Sequence, residues 1–304
     1  MCRPQPKNPL IFLLKGGINQ LHLTLSIFCV LALSFQTLSA QDDIWKEIDK
    51  TDTLNDAEAA FKSLKIVNFE STKLAAAKEF RFVVSHRFGS VKNGIDDFFG
   101  LDNAVTRIQF IYGISDIFNI GISRSSFQKV YDIQFKYRLL TQREDGFPVT
   151  VSGYSVGGIN TSYDEDLDPA ISFGDKLSYV QQILISRKFN DRLSLELAPS
   201  YLYEAYPSPL VQHENQFIMG MGGRYKIANR WSINMDYGIH TNRTPSSPFH
   251  NPLSIGVDLE TGGHVFQMHF TNAEGMMERG FLSHASGDWG DGDFFFGFNL
   301  TRTF

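Results

Sequence analysis

The chain has 304 residues, of which 42% are hydrophobic, 13% aromatic and 20% charged, with a formal net charge of −5. This length allows one large domain or two ordinary ones, and the mild acidity without any basic run argues against a nucleic-acid partner. A mean hydropathy of −0.17 excludes a bundle of membrane helices.

Residues 1–40 have the features of a secretory signal peptide. Positive charges precede an apolar run at residues 21–35, and small residues lead to Ala40 before an acidic start. The run is shorter than the ~20 residues that a membrane helix needs, so we expect cleavage after Ala40, with a single membrane anchor as the alternative. Both cysteines, Cys2 and Cys29, lie in this peptide, and the exported chain is therefore not built on disulfides.

Residues 41–78 are predicted to form a periplasmic N-terminal lead. Its first part, to residue 60, is polar and acidic, and the stretch FKSLKIVNFESTKL follows at residues 61–74. This stretch has three alternatives that the sequence leaves open: it pairs as an extra strand, plugs the lumen or stays in the periplasm.

From residue 79 onward, segments of about ten residues alternate apolar with polar side chains, which is the period of two that strands show. The clearest segment has Tyr131, Ile133, Phe135 and Tyr137 on one face, and its other face carries the polar residues Asp132, Gln134, Lys136 and Arg138. Such alternation suits a soluble sandwich with a polar outside and equally a transmembrane barrel with a polar lumen.

The lengths of the connections favour the barrel. We count twelve strands, starting near residues 79, 104, 117, 130, 148, 178, 191, 215, 229, 252, 264 and 293. Tight turns are predicted at Ser115-Asp116, Asn190-Asp191, Ala228-Asn229 and Gly262-Gly263. Long connections cover residues 90–103, 160–177, 205–214, 241–251 and 272–292. Short periplasmic turns and long outer loops are typical of outer-membrane proteins. We therefore predict an all-β, antiparallel up-and-down transmembrane β-barrel over residues 79–304.

Two positions in the predicted strands are unusual. Pro199 lacks an N–H in the middle of a strand and predicts a bulge. The chain ends on Phe304 after a strand whose outer face is Phe294, Phe296, Phe298 and Leu300.

Several stretches resemble an outer-membrane β-barrel family of Bacteroidota, the domain of unknown function 5777. They are SHRFG (85–89), FFGLDNA (98–104), YGISD (112–116), SRSSFQKVYDIQFKYRLLTQ (123–142), SIGVDLETGGHVFQMHFTNAEGMMERGF (254–281) and GFNLTRTF (297–304). The resemblance spans nearly the whole exported chain. It implies a barrel without implying a reaction, and it implies that Phe304 is the terminal aromatic read by the outer-membrane assembly machinery.

The predicted register points a set of charged side chains into the lumen. They are Arg81, Arg87, Arg107, Asp132, Lys136, Arg138, Glu196, Arg224, Lys226, Asp236, Asp258 and Glu260. One interpretation is a lumen that binds or passes a polar solute. The other is a network of paired charges that fills the bore, since twelve strands lie between the filled barrels of about eight and the channels of 16–18.

Metal and catalytic sites have weaker support. The histidines show no recognised ligand spacing, and we predict no metal site and no cofactor. The aspartates of SHASGDWGDGD (Asp288, Asp291 and Asp293) could ligate calcium, with a solvated loop as the plainer alternative. The same holds for an acidic loop formed by Asp164, Glu165, Asp166 and Asp168. Ser85-His86 and Ser283-His284 are adjacent in sequence, but neighbours on a strand face opposite ways, and no GxSxG motif is present.

Three functions are therefore considered. The leading hypothesis is an outer-membrane barrel that acts as a narrow channel or binding protein for small polar solutes. The second is a structural or partner-binding barrel whose lead contacts a periplasmic partner. The third, an outer-membrane hydrolase, has the least support, and we predict that the chain is not an enzyme. Membrane lipid and the assembly machinery are the expected partners.

Overall fold

The computed structural model describes residues 59–163, 171–207, 211–261 and 264–304. The expected signal peptide, residues 41–58 of the lead, the acidic loop at 164–168 and the Gly262-Gly263 turn all lie outside the described residues.

Twelve strands form the fold. Their bounds are β1 Phe80–Ser90, β2 Ala104–Ser115, β3 Phe118–Ser125, β4 Val130–Leu140, β5 Thr150–Asn160, β6 Leu177–Lys188, β7 Leu193–Glu204, β8 Asn215–Lys226, β9 Trp231–His240, β10 Leu253–Thr261, β11 His264–Thr271 and β12 Phe295–Thr303. Every predicted strand is present and starts within two residues of its predicted position.

The strands form one closed antiparallel barrel in which each pairs with its sequence neighbours. β1 closes the barrel against β12, with Arg81 opposite Thr303 and Arg87 opposite Gly297. Closure leaves no unpaired sheet edge, which a hydrocarbon environment requires. The predicted all-β, up-and-down architecture is confirmed.

Each strand presents one face outward and one inward. On β2, for example, Ile108, Phe110 and Tyr112 are exposed, whereas Arg107 and Gln109 are buried in the barrel. The apolar side chains therefore cover the outside and polar side chains line much of the inside, which is the reverse of a soluble sandwich.

The connections differ at the two ends of the barrel. One end, which we call the turn end, carries both ends of the barrel chain and the tight turns at residues 116–117, 189–192 and 227–230. The other, the loop end, carries the connections at residues 91–103, 205–214, 241–252 and 272–294. Two connections depart from this length pattern. The 141–149 connection at the turn end is long, and the 126–129 connection at the loop end is short.

Pro199 is accommodated in β7 without a change of register. Gln182 lies opposite Ser200 and Ile185 lies opposite Leu197, so the pairing with β6 has the same offset on both sides of Pro199. The ladder is interrupted between these two pairs, where Pro199 has no N–H to donate. The predicted bulge was wrong because a local gap in the ladder suffices.

Among the residues that the structure describes, helical structure is confined to one short α-helix and four 3₁₀ turns. One α-helix, α1, spans Glu278–Ser283, and 3₁₀ turns span Val91–Asp97, Phe127–Lys129, Phe173–Lys176 and Trp289–Asp291. Within the described part of the chain, no helix has the length and apolar character to cross a membrane.

Two segments lie inside the barrel. The first, the inner hairpin, is residues 59–77, and the second, the inserted loop, is residues 273–285 and includes α1. The inner hairpin turns at residues 66–69, where the Ile66 N–H donates to the Phe69 carbonyl at 2.8 Å, and Lys65 pairs with Glu70. Most residues of both segments are buried, so the interior of the barrel is occupied from both ends.

Candidate functional site

The structure places all twelve predicted lumen residues on the inward faces of their strands. The buried ones are Arg81, Arg87, Arg107, Asp132, Lys136, Glu196, Arg224, Asp236 and Asp258. The half-buried ones are Arg138, Lys226 and Glu260. Arg224 forms an ion pair with Glu260 near the turn end. Many of the others contact the inner hairpin or the inserted loop.

The tip of the inner hairpin is held by one carboxylate. Oδ2 of Asp236 on β9 accepts hydrogen bonds from the backbone N–H groups of Val67, Asn68 and Phe69, at 3.0, 2.7 and 3.0 Å. Successive backbone N–H groups that converge on one anion form a strong, charge-assisted contact. Asp236 therefore fixes the turn of the hairpin against the wall.

Side-chain amides add further contacts to the tip. The Asn68 amide donates to Ser254 at 3.0 Å and to Thr271 at 2.9 Å, and its oxygen accepts from Arg87 at 2.8 Å. Gln267 donates to the Ile66 carbonyl at 2.9 Å. These partners belong to β1, β10 and β11, so the tip contacts the wall on one side of the bore.

The legs of the hairpin are bound through their backbone. The Lys136 ammonium donates to the carbonyls of Leu64, Ser71 and Lys73, at 3.1, 3.0 and 3.3 Å. Glu196 accepts from the Thr72 N–H at 2.9 Å. Because these wall groups satisfy peptide groups that would otherwise be buried without partners, they offset the cost of burying the hairpin.

Glu70 is the ionic centre of the hairpin. It lies 2.5 Å from Lys65 and 2.5 Å from Lys136. Burial would raise the pKa of Glu70, but the charges of Lys136 and Lys65 outweigh it and lower the pKa to about 2. The carboxylate therefore stays ionised at neutral pH and neutralises part of the two buried ammonium groups.

Three inward glycines on β8 and β9 make room for the hairpin tip. A Cβ at Gly220 would lie 2.3 Å from the Phe69 ring, and one at Gly238 would lie 3.1 Å from it. At Gly222, a Cβ would lie 2.5 Å from Cδ1 of Ile66. We call Gly220, Gly222 and Gly238 the glycine slot, since any larger residue there would occupy the space of Phe69 or Ile66.

The inserted loop is held by ion pairs on the other side of the bore. Glu278 lies 3.3 Å from Arg107, which also pairs with Asp132 at 3.1 Å. The Tyr154 hydroxyl donates to Glu278 at 3.1 Å. Glu278 also lies 3.4 Å from Lys65 of the hairpin, so the two inserts share an ion pair.

An apolar cluster inside β5–β8 holds the same loop and was not predicted from the sequence. It consists of Phe69, Tyr154, Val156, Val180, Leu184, Ala198, Leu202, Ile218, Ala273, Phe281, Leu282 and Ala285. The signal was two apolar residues on the inward face of β6, Val180 and Leu184, in a strand whose outward face is apolar as well. Apolar side chains on both faces of a strand indicate that both faces are covered.

Little space remains around the ionic centre. Two cavities of about 10 Å³ each lie beside Glu70, which is the size of about one water molecule. The charged wall residues thus form paired contacts with two inserts, and solute passage requires one insert to move.

The remaining candidate residues form no reactive arrangement in the described part of the chain. Ser85 is buried inside, whereas His86 stacks outside on Phe298 with ring centroids 5.3 Å apart. The Ser283 hydroxyl donates to Gln216 at 2.7 Å, and His284 lies 3.7 Å from Glu204. Burial and the charge of Arg279 lower the pKa of His284 to about 4, so it is neutral at pH 7.

The aspartates of the outer loop face separate partners. Asp288 accepts from the Gly290 N–H at 2.8 Å, Asp291 lies 3.9 Å from Lys92, and Asp293 bonds to Ser90. Among the described residues, no group of three or more His, Cys, Asp or Glu side chains is placed to hold a metal ion.

A family model described as a membrane bound beta barrel domain (DUF5777) matches residues 61–304. No curated protein matches the sequence. Similar solved structures include the NanC porin, with 10% identity, a TM-score of 0.46 and coverage of 74% of this chain and 99% of the porin. They also include the KdgM porin, with 7% identity, a TM-score of 0.44 and coverage of 74% and 99%. A third is the COG4313 outer membrane channel from Pseudomonas putida F1, with 12% identity, a TM-score of 0.42 and coverage of 81% and 100%. Similarity this low supports no conclusion about function.

Proposed function

The chain belongs to this family of membrane-bound β-barrel domains, and from that premise we propose that it is a narrow outer-membrane channel for small polar solutes, closed in the conformation described above. We place it in the outer membrane of a Gram-negative bacterium, with export through the signal peptide at residues 1–40. Its closed sheet and apolar outer face suit a lipid environment. The resemblance noted above points to a Bacteroidota source.

The observation that carries the proposal is the polarity of the wall behind the inner hairpin. Arg87, Lys136, Asp236, Gln267 and Asn299 face the bore there and bind the hairpin through hydrogen bonds. With the hairpin displaced, this surface would be a water-compatible lining of mixed charge, as a channel for polar solutes requires.

Planar-bilayer conductance tests the proposal. We expect no conductance from the unmodified protein, and we expect a barrel from which both inserts have been removed to conduct. In that variant, residues 59–77 are deleted and residues 273–285 are replaced by a short glycine–serine linker. If this variant migrates as a folded, heat-modifiable band on a gel and still does not conduct, the chain is not a channel.

A second candidate, a structural or partner-binding barrel without transport, is supported by the dense packing of both inserts. In that case residues 41–60 would contact a periplasmic partner, and their deletion should abolish co-purification of that partner. The hydrolase hypothesis gains no support from the positions of Ser85, His86, Ser283 and His284. A lipase assay of Ser85→Ala and Ser283→Ala tests it directly, and any activity that both variants retain would exclude these serines as nucleophiles.

A further inference from the structure

We propose that the inner hairpin is the moving gate of the channel and that the inserted loop is a fixed part of the wall. This inference rests on the proposed channel function and adds which of the two inserts opens the bore. Three structural differences between the inserts support it.

The first difference is how each insert is joined to the barrel. β1 pairs directly with β12, so the sheet closes without any residue of the hairpin. Within the described residues the hairpin continues into a strand at one end alone, through Lys78, whose φ is +65°. The inserted loop is joined at both ends, to β11 and β12. The hairpin can therefore withdraw toward the turn end without breaking the ladder, whereas the loop is doubly tethered.

The second difference is the chemistry of the wall behind each insert. The hairpin tip and legs are bound mainly by charged and amide side chains, among them Asp236, Lys136 and Gln267. Water can replace such hydrogen bonds at a small net cost. The loop contributes four residues to the apolar cluster, whereas the hairpin contributes only Phe69, and water does not replace buried apolar contacts. The hairpin is thus the insert whose departure leaves a hydrated wall.

The third difference is location. The hairpin tip forms its side-chain hydrogen bonds with β1 and β9–β12, through residues such as Arg87, Asp236 and Asn299, and it packs against the glycine slot on β8 and β9. The loop contacts β2 and β5–β8, through residues such as Arg107, Tyr154 and Gln216. Withdrawal of the hairpin would uncover the polar wall of β1 and β9–β12, while the loop would keep its own contacts with β2 and β5–β8.

The glycine slot offers a way to expel the tip. In Gly222→Leu the new side chain would occupy the position of Ile66, because even a Cβ would lie 2.5 Å from Ile66 Cδ1. The matched control is Gly157→Leu, the same change on the outer face of β5, where the nearest atom to a Cβ is Ile133 Cγ2 at 3.8 Å. We expect Gly222→Leu to conduct in planar bilayers and Gly157→Leu to remain closed.

A reversible tether tests whether the hairpin itself is responsible. Thr72 Oγ1 lies 2.5 Å from Ser186 Oγ on β6, so cysteines at both positions should form a disulfide that holds the second leg in the bore. The tether is added to Gly222→Leu in a chain whose Cys2 and Cys29 are replaced by serine. Oxidation should abolish conductance and reduction should restore it. The control pair is Ser155→Cys with Gln181→Cys, which lie opposite each other on the outer faces of β5 and β6 with their side chains 2.5 Å apart. Oxidation of this pair should leave conductance unchanged.

The loop has its own test, Phe281→Asp, which buries a charge in the apolar cluster and should expel the loop. If Phe281→Asp conducts and Gly222→Leu does not, the loop is the gate and the inference is wrong, while the channel function stands. The inference is also wrong if the oxidised Thr72–Ser186 tether leaves Gly222→Leu conducting. If the barrel without either insert folds but does not conduct, the proposed channel function is wrong.

Discussion

Phe69 and Phe281 meet edge to face inside the barrel, with ring centroids 5.0 Å apart and ring planes at 65°. One ring belongs to the tip of the inner hairpin and the other to the inserted loop, so this pair is a direct apolar contact between the two inserts.

Each ring should therefore contribute to the stability of the barrel. We expect Phe69→Ala and Phe281→Ala each to lower the free energy of unfolding by about 3–5 kcal/mol, measured by urea unfolding in lipid vesicles. The double variant should lose about 0.5–1.5 kcal/mol less than the sum, because the two rings contact each other. The exposed Phe173→Ala is the control and should change stability little. Strictly additive losses would show that the contact has no energetic weight.

The three hydrogen bonds to Asp236 should control the order of the hairpin tip. Asp236→Asn keeps the shape of the side chain but removes the charge, and hydrogen bonds to charged groups contribute about 1.5–3 kcal/mol. Hydrogen exchange of the Val67, Asn68 and Phe69 amides should become faster. Asp258→Asn changes a carboxylate that binds Gln267 and no hairpin N–H, and it should leave these amides protected. Equal exchange in both variants would contradict the role of Asp236.

The pH dependence of hairpin docking should follow Glu70. Its pKa is lowered from 4.5 to about 2 in the folded protein, so its stabilising contribution is fully present above pH 4.5 and is lost as the pH falls toward 2. A spin label at Ala59→Cys, in a chain with Cys2 and Cys29 replaced by serine, should stay immobile at pH 5 and become mobile as the pH approaches 2. In Glu70→Gln the label should already be more mobile at neutral pH, since two buried ammonium groups lose their partner. A label whose mobility is the same at pH 5 and pH 2 would argue against this assignment.

The last residue should matter for assembly more than for packing. Phe304 is 61% exposed and touches Phe80, with ring centroids 5.8 Å apart, and Arg302 lies over its ring at 4.6 Å. Deletion of Phe304 should reduce the heat-modifiable folded band in membranes. Arg302→Leu should leave that band unchanged, because an exposed cation–π contact is worth only about 0.5–1 kcal/mol. Normal assembly without Phe304 would contradict its proposed recognition.

The sequence predicted the barrel wall well because period-two alternation is a local property. The alternation of side chains along β4 predicted that Asp132 and Lys136 face inward. The tight turns at 116–117 and 227–230 identified one end of the barrel. The bulge predicted at Pro199 was wrong because a gap in the ladder accommodates the missing N–H as well as a bulge does.

The interior contents were not predictable in the same way. The stretch at residues 61–74 was compatible with an extra strand, a plug or a free segment, and the structure has it inside the barrel. Its partners are distant in sequence, such as Asp236 for Val67 and Asn299 for Val67, separated by 169 and 232 residues. No periodicity within the stretch reports such contacts. The inward apolar residues Val180 and Leu184 of β6 and Ala198 and Leu202 of β7 were the available clue that another segment packs inside.

The same separations affect the order in which the protein is completed. The hairpin precedes the barrel strands in the sequence, yet the partners of its tip lie on β9, β10, β11 and β12. Contacts across such long loops form late, because the entropy of loop closure must be offset first. The tip can dock only once the last strands are in place, so every incomplete barrel carries an undocked tip. The finished barrel is then the earliest state in which the bore is sealed.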